Sequence, residues 1–350
     1  MKIRNSLFAA AVVSAVSVPA TATAAPTADI YGFIFASVDT NSTDAGGIPN
    51  LFAAGANDGE SYTADTAESR LGVTGSEDFG NGMTGSYKLE AGIGTEGFGG
   101  GGSVTEDNTF STRLSWVALS DDWGQIKGGT MWGTAYNYSG WNVFRSRAHG
   151  GAAYYRMFNG GTFDLTSANP SGLRVDNSIR YTYGSGPYGS DPLTFSLTAQ
   201  MPSGDNASVP EGQEDDATFD AISGGVQSTF GQVTVNGFFQ TEKSDAAGDP
   251  REPTVIGVGG RWNNGTTNIG VSFIQTDIDG DNGFRKTTGG DTGGDPRGFI
   301  VQATHDFGND WSGMAMIGTV DGDDAIHDME ENLFLQADYA FSESTHFQAE

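Results

Sequence analysis

The sequence has no cysteine, few basic residues and no long apolar run beyond its N-terminus. Without cysteine, the 350-residue chain has neither a disulfide framework nor thiolate metal sites. No later stretch approaches the roughly 20 consecutive apolar residues that a membrane-spanning helix requires. Only 17 Lys and Arg stand against 44 Asp and Glu, which gives a formal net charge of -27. Acidity of this strength argues against nucleic acid as a partner, because its phosphates would be repelled.

Motifs for catalysis are also missing. The sequence contains neither G-x-S-x-G nor H-E-x-x-H. Four histidines are scattered without the spacing of metal ligands: His149, His305, His327 and His346. We therefore expect that the protein is not an enzyme and needs no cofactor.

One acidic run resembles a metal-binding loop. Asp277, Asp279 and Asp281 are spaced as in a calcium loop, but Thr288 stands where the closing glutamate would be needed. We interpret the run as a solvated acidic loop. Asp277, Asp279 and Asp281 are only a weak candidate for a metal site. A second interpretation is that Ca²⁺ or Mg²⁺ bridges such loops to lipopolysaccharide.

The N-terminus has the pattern of an export signal. Lys2 and Arg4 supply the positive region, and a short apolar run of mostly Ala and Val follows from Leu7 to Val18. Pro19 breaks this run, and Ala22-Thr23-Ala24 offers small residues for cleavage near Ala24. Residues 1–24 are therefore predicted to be a signal peptide, and residues 25–350 the exported protein.

The exported part alternates between apolar and polar residues. In Leu193 to Gln200, the odd-numbered residues are apolar and the even-numbered residues are polar. In Arg174 to Tyr183, the even-numbered residues form the polar row. Alternation with period two predicts strands that have one apolar and one polar face.

Short turns and long loops also alternate along the chain. An aromatic residue followed by glycine and a polar residue recurs at four short turns: Asp78–Asn81, Asp122–Gln125, Thr229–Gln232 and Asp306–Asn309. Most of the acidic residues lie in the longer connections between them. Short turns at one end and long polar loops at the other predict an outer-membrane β-barrel, which must close so that no backbone edge faces lipid. The cost of a charge facing the bilayer places these residues towards the lumen: Lys88, Glu90, Arg113, Arg174 and Arg180.

About fifteen strands can be counted, and their centres run from Gly32 to Phe347. Bacterial single-chain barrels carry even numbers of strands. We therefore predict an all-β, antiparallel transmembrane barrel of sixteen strands, with the chain truncated before its last strand.

One connection, residues 135–173, is much longer than ordinary loops, and such loops are usually functional or disordered. It carries Arg145, Arg147 and Arg156, and its only acidic residue is Asp164. It is also rich in aromatic residues, which include Tyr138 and Trp141. These aromatic residues either pack the segment against the wall or form a stacking track for sugars or aromatic solutes.

Over almost its whole length the chain resembles Gram-negative general porins. The residues that carry the resemblance are I-Y-G-F at 30–33, S-R-L-G-V-T-G-S-E-D-F-G-N-G at 69–82, F-S-T-R-L-S-W-V-A-L-S at 110–120, G-G-T-M-W at 128–132 and D-N-S-I-R-Y at 176–181. The resemblance implies a homotrimeric, water-filled channel in the outer membrane, in contact with lipid and lipopolysaccharide. It also implies sixteen strands and a third long loop, here 135–173, that folds into the lumen and forms a constriction.

The resemblance further implies a basic wall at the constriction. Matched by motif, this wall consists of Arg70, Arg113 and Arg174. The inward loop departs from the family, because it has no run like Pro-Glu-Phe-Gly-Gly. The predicted constriction residues are Arg70, Arg113, Arg174, Arg145, Arg147, Arg156, Asp164, Tyr138 and Trp141.

Three functions agree with parts of this pattern. The first is passive diffusion of small hydrophilic solutes and ions, with weak anion selectivity because arginines dominate the constriction. The second is a substrate-selective porin with an aromatic and arginine track for sugars or acidic solutes. The third is a secreted, calcium-binding, β-rich adhesin, which explains the glycines and aspartates but not the apolar rows.

Overall fold

A computed structural model describes thirteen parts of the chain. They are residues 26–34, 37–43, 59–65, 69–93, 110–138, 174–187, 191–201, 219, 221–242, 254–277, 297–322, 327–342 and 345–349. The predicted signal peptide and most of the predicted inward loop lie outside these residues. Internal contacts divide the chain into unit 1, which is Met1–Asp122 with Lys127–Gly129, and unit 2, which is Trp123–Ile126 with Thr130–Glu350.

Unit 1 is built from antiparallel strands. They are β1 (Asp29–Phe33), β2 (Ser37–Thr43), β3 (Gly59–Asp65), β4 (Arg70–Gly80), β5 (Met83–Ile93), β6 (Phe110–Asp121) and part of β7 (Gly124–Trp132). β1 pairs with β4, β4 with β5, and β5 with β6, while β2 and β3 form a separate hairpin.

The described part of unit 2 contains the rest of β7, one short helix and ten further strands. The helix is α1 (Thr134–Tyr138), and the strands are β8 (Arg174–Tyr183), β9 (Leu193–Gln200), β10 (Ala221–Phe230), β11 (Val233–Glu242), β12 (Thr254–Asn263), β13 (Thr267–Asp277), β14 (Arg297–Gly308), β15 (Trp311–Gly322), β16 (His327–Ser342) and β17 (Thr345–Ala349). From β8 to β17 each strand pairs antiparallel with the next. The one helix in the described part of the chain is too short to cross a membrane.

The strand count agrees with the sequence prediction. Among the described residues, fifteen strands, β1 and β4 to β17, form one sheet in chain order, and each contains one predicted strand centre. The hairpin of β2 and β3 was not predicted, because its residues are mostly polar on both rows. The helix α1 was also missed, because the segment from residue 135 was interpreted as irregular.

The repeated turn motif has one structure at two places. In Asp78–Asn81 the Asp78 carboxylate accepts a hydrogen bond from the Gly80 amide at 2.8 Å, and Asp306 does the same for Gly308 at 2.8 Å. Gly80 and Gly308 have positive φ values of 84° and 75°, which glycine adopts at no steric cost. The aspartate therefore fixes the turn, and the glycine allows it.

The two faces of the sheet have inverted polarity compared with a soluble protein. We call the buried face inner and the exposed face outer. The inner face of unit 2 is largely polar: Ser178, Arg180, Thr182, Thr194, Ser196, Thr198, Ser223, Gln227, Thr234, Gln240, Ser272, Gln302 and Gln336 are buried. The outer face is apolar: Leu193, Phe195, Leu197, Ile222, Val226, Val235, Phe239, Ile256, Val258, Phe273, Phe299, Ile317 and Leu335 are exposed. Polar groups inside and apolar groups outside are the arrangement of a β-barrel in lipid.

One predicted row is wrong at its beginning. The sequence placed Asp176 in the same row as Ser178, but Asp176 is exposed and Val175 is 4% exposed. Asn177 lies between them with a φ of 42°, and the pairing of β8 with β9 starts only at Ser178. The irregularity shifts the alternation by one residue, so that the predicted row holds only from Ser178 onwards.

Candidate functional site

Unit 1 gathers charged side chains around one buried carboxylate. Glu90 is 6% exposed and Arg113 is 8% exposed. Arg113 Nε donates to Glu90 Oε1 at 2.9 Å, and Lys88 Nζ lies 3.7 Å from Glu90 Oε2. Arg70 also attracts this carboxylate electrostatically. We call Arg70, Lys88, Glu90 and Arg113 the basic cluster, and it contains three cations and one anion.

A bulge brings Arg113 to Glu90. Between β5 and β6, Glu90 pairs with Leu114 but Ala91 pairs with Thr112, so Arg113 is the extra residue. Both Arg113 and Leu114 are consequently buried, which strict alternation would forbid. Bulges commonly redirect a side chain in this way.

Tyr31 completes the coordination of Glu90. Its hydroxyl donates to Glu90 Oε2 at 2.8 Å, and Lys88 Nζ lies 4.9 Å from the centre of its ring. Tyr31 is on β1 and Glu90 on β5, so the side chain crosses β4 between them. It does so over Gly72, where any β-carbon would overlap the tyrosine ring. The small residue on β4 therefore permits the link between β1 and the basic cluster.

Unit 2 contains a second polar cluster, which joins α1 to the inner face. Thr134 Oγ1 lies 2.8 Å from Ser223 Oγ and 3.1 Å from Thr198 Oγ1. Arg180 Nε donates to Thr198 Oγ1 at 2.7 Å, and Arg180 Nη2 donates to the Trp132 carbonyl oxygen at 2.7 Å. We call Thr134, Arg180, Thr198 and Ser223 the anchor cluster. The cluster attaches the start of α1, which directly follows β7, to strands β8, β9 and β10.

Tyr138 fixes the other end of α1. The side chain is fully buried, and its ring occupies the space that a β-carbon at Gly225 would fill. Its hydroxyl faces Ser196 Oγ, but in the described part of the chain neither atom makes a hydrogen bond of regular geometry. Burial raises the pKa of Tyr138, so the phenol stays neutral at physiological pH. This position matches packing of the aromatic residue against the wall, the first of the two interpretations given above.

Trp132, Tyr136 and Arg174 form a layered group beside the anchor cluster. The rings of Trp132 and Tyr136 stack with centroids 4.3 Å apart and an interplanar angle of 11°. The Arg174 guanidinium lies 5.6 Å from the centroid of the Trp132 ring. All three side chains are half-buried, so part of each remains accessible.

The predicted site residues fall into three groups. Arg70 and Arg113 meet in the basic cluster of unit 1, while Tyr138 and Arg174 lie beside the anchor cluster in unit 2. Trp141, Arg145, Arg147, Arg156 and Asp164 lie outside the described residues, and their role stays a prediction. Sequence reasoning placed Glu90 and Arg180 towards the lumen but did not identify their partners.

The proposed metal run is only partly visible. Asp277 ends β13, whereas Asp279 and Asp281 lie outside the described residues. Among the residues that the structure describes, no three His, Asp or Glu side chains are placed to hold a metal ion.

Comparisons with known proteins agree with this geometry. The sequence model of Gram-negative porins matches residues 9–350. An anion-selective porin from Comamonas acidovorans has a similar structure, with a TM-score of 0.68, 19% identity and coverage of 93% of this chain and 87% of that chain. OmpF of Salmonella typhi, in complex with daunomycin, has a TM-score of 0.62 and 14% identity over 90% of this chain and 86% of that chain. The trimer form of OmpT from Vibrio cholerae has a TM-score of 0.61 and 16% identity over 91% of this chain and 86% of that chain. No curated protein matches the chain.

Family and fold together decide between the interpretations of the sequence. The matched structures are β-barrel porins, and the inverted polarity of the two sheet faces is the one that a barrel in lipid requires. A channel for solutes in the outer membrane explains this arrangement, whereas a secreted adhesin does not. The chain belongs to the Gram-negative porin family.

Proposed function

We propose that this porin is a passive diffusion channel for small hydrophilic solutes and ions, with weak anion selectivity. The observation that carries the proposal is the composition of the basic cluster. Its one carboxylate, Glu90, is already bound by Arg113 and Tyr31, while Arg70 and Lys88 add two further cations. Counted over these four described residues, the cluster therefore has a positive net charge, although the whole chain is strongly acidic.

Location supports the sign of the selectivity. At physiological salt, exposed charges act over about 8 Å, so acidic residues in long outer loops have little effect on an ion beside the basic cluster. In a narrow, low-dielectric section the local charges dominate. The predicted loop arginines Arg145, Arg147 and Arg156 would act in the same direction. A structurally similar porin from Comamonas acidovorans is anion-selective, although that likeness by itself shows only the fold.

Assembly as a homotrimer is part of the proposal. One of the similar structures, OmpT of Vibrio cholerae, is a trimer. Contact with lipopolysaccharide, with Ca²⁺ or Mg²⁺ bridging the acidic loops, stays a prediction.

Planar-bilayer recording of the purified, folded protein tests the proposal. Stepwise conductance increments and a reversal potential on the anion side are expected in a KCl gradient, with stronger selectivity at low salt. Replacing Arg145 and Arg147 together with serine should move the reversal potential towards cation preference. A folded wild type that gives no increments would refute the channel. Strong cation preference that does not respond to the double substitution would refute the selectivity.

A second candidate function is recognition of acidic aromatic solutes. The layered group of Trp132, Tyr136 and Arg174 favours it, since aromatic faces and a guanidinium are the groups that bind a flat carboxylate. Benzoate should then block the current of a small inorganic anion more strongly than acetate does. Trp132→Ala should abolish the difference. Equal block by both acids in the wild type would leave passive diffusion as the better description.

A further inference from the structure

Arg180 is a buried cation in the anchor cluster, at 6% exposure. Its Nε donates to Thr198 Oγ1 at 2.7 Å, and its Nη2 donates to the Trp132 carbonyl oxygen at 2.7 Å and approaches Thr134 Oγ1 at 3.4 Å. These acceptors are neutral oxygens. Two of them belong to residues on either side of the point where β7 ends and α1 begins, and the third belongs to β9.

The fork of the guanidinium suits this arrangement. A planar guanidinium directs several N–H donors in fixed directions, whereas a lysine ammonium is a compact point charge. From one position on β8, Arg180 therefore reaches the wall strand β9 and the start of α1 at the same time. A lysine at this position would preserve the charge but could not reproduce both contacts.

The helix depends on such contacts. Five residues are too few for a helix that is stable by itself, so α1 must be held by its surroundings. Thr134 and Tyr138 at its two ends are fully buried, and the helix packs against β10, β11 and β12. Asn137 Nδ2 donates to the same Trp132 carbonyl oxygen at 3.3 Å, which makes this carbonyl a shared attachment point.

We infer that Arg180 is a positioning residue of the channel, which holds α1 against the inner face through its hydrogen bonds rather than selecting ions through its charge. The inference rests on the proposed function, since it concerns the width and steadiness of the diffusion path. It assigns different roles to two arginines of one strand. Arg174 stacks on Trp132 and is half-buried. Arg180 is buried and links strand β9 to the start of α1.

Arg180→Lys distinguishes the two possible roles, because it keeps the positive charge and removes the forked hydrogen bonds that hold α1. Loss of a charge-assisted hydrogen bond shifts the balance between held and released α1 by about ten-fold. The fraction of time that single channels spend away from the main conductance level should therefore rise by about ten-fold. The reversal potential should stay at the wild-type value, because the charge is kept. Thr198→Val removes the acceptor of Arg180 Nε, leaves the arginine in place, and should change the current in the same direction.

Arg261→Lys is the matched control, because it makes the same exchange on another strand of unit 2, β12, outside the anchor cluster and the layered group. It should leave both the current fluctuations and the reversal potential unchanged. Heat-modifiable migration in detergent gels identifies the variants that are folded. The inference is overturned if folded Arg180→Lys and Thr198→Val channels are as steady as the wild type. It is also overturned if Arg180→Lys is steady and only Arg180→Gln shifts the reversal potential, since the charge would then be what matters. In either case the wild type still conducts, whereas a wild type without conductance would refute the proposed function itself.

Discussion

Replacing Glu90 with glutamine should make the channel more anion-selective without unfolding it. The substitution removes the one negative charge of the basic cluster and leaves Arg70, Lys88 and Arg113 in place. Glutamine has nearly the same shape, and its amide oxygen can still accept a hydrogen bond from Arg113 or Tyr31. The net charge of the cluster therefore rises by one, while its framework keeps an acceptor at the same position.

The size of the effect follows from screened electrostatics. An ion passing about 8 Å from a unit charge in water interacts with it by about 0.5 kcal/mol. At 0.15 M ionic strength, screening reduces this energy to about 0.2 kcal/mol, and at 0.01 M to about 0.4 kcal/mol. Because the energy has opposite signs for anions and cations, the anion-to-cation permeability ratio should rise about two-fold at 0.15 M and about four-fold at 0.01 M.

Reversal potentials in KCl gradients at both salt concentrations measure this ratio. Asp78→Asn is the matched control, because Asp78 is an exposed carboxylate at the turn between β4 and β5. Its register partner Thr84 lies six residues before Glu90 on β5, which places it about 20 Å along the strand. Such a distance exceeds two screening lengths at 0.15 M, so the control should not shift the ratio there. The reasoning is refuted if Glu90→Gln leaves the ratio unchanged at low salt, or if Asp78→Asn shifts it equally.

Three further predictions concern the packing of unit 2. Tyr138→Phe should leave the free energy of unfolding unchanged or raise it by up to about 1 kcal/mol, because the deleted hydroxyl is buried beside Ser196 Oγ without a hydrogen bond of regular geometry in the described chain. A clear loss of stability in thermal melts would show that the hydroxyl has a partner. Gly225→Ala should lower the free energy of unfolding by about 1–3 kcal/mol, because its methyl group would overlap the Tyr138 ring. In the same melts, the double variant with Tyr138→Ala should lose less stability than the sum of the two single variants. Leu197→Arg on the outer face should lower the free energy of unfolding in lipid by about 2–4 kcal/mol, whereas Phe230→Arg beside a turn should lower it by about 0–1 kcal/mol. Equal losses in denaturant titrations of vesicle-bound protein would contradict the expected difference in depth between the two positions.

The strands could be predicted because each has to separate lipid from the interior. In Leu193 to Thr198, the exposed odd-numbered and buried even-numbered residues follow the alternation seen in the sequence. The glycine-containing turns were equally visible, since a positive φ such as the 84° of Gly80 leaves few alternatives to glycine. Local residue types decide both features, and a single sequence therefore suffices to predict them.

The bulges could not be predicted, because they depend on the neighbouring strand. Nothing in the run around Arg113 distinguishes a bulged residue from a regular one, yet the bulge is what aligns it with Glu90. At Asn177 a φ of 42° was compatible with the residue type, since asparagine tolerates this region, but the sequence did not require it. Each bulge moves side chains to the other face, so predictions of which charges meet are less secure than predictions of strands.

The same dependence on distant partners explains why the overall charge does not determine selectivity. The chain carries a formal charge of -27, but an ion in the lumen responds to the side chains within about one screening length. In the basic cluster, one carboxylate is surrounded by three cations, and it is the bulge at Arg113 that gives the carboxylate its closest cation. A shift of one residue in that register would turn Arg113 away from Glu90 and lower the net charge of the basic cluster by one. The strength of the proposed anion selectivity would therefore depend on strand register, a property of paired strands, as well as on composition.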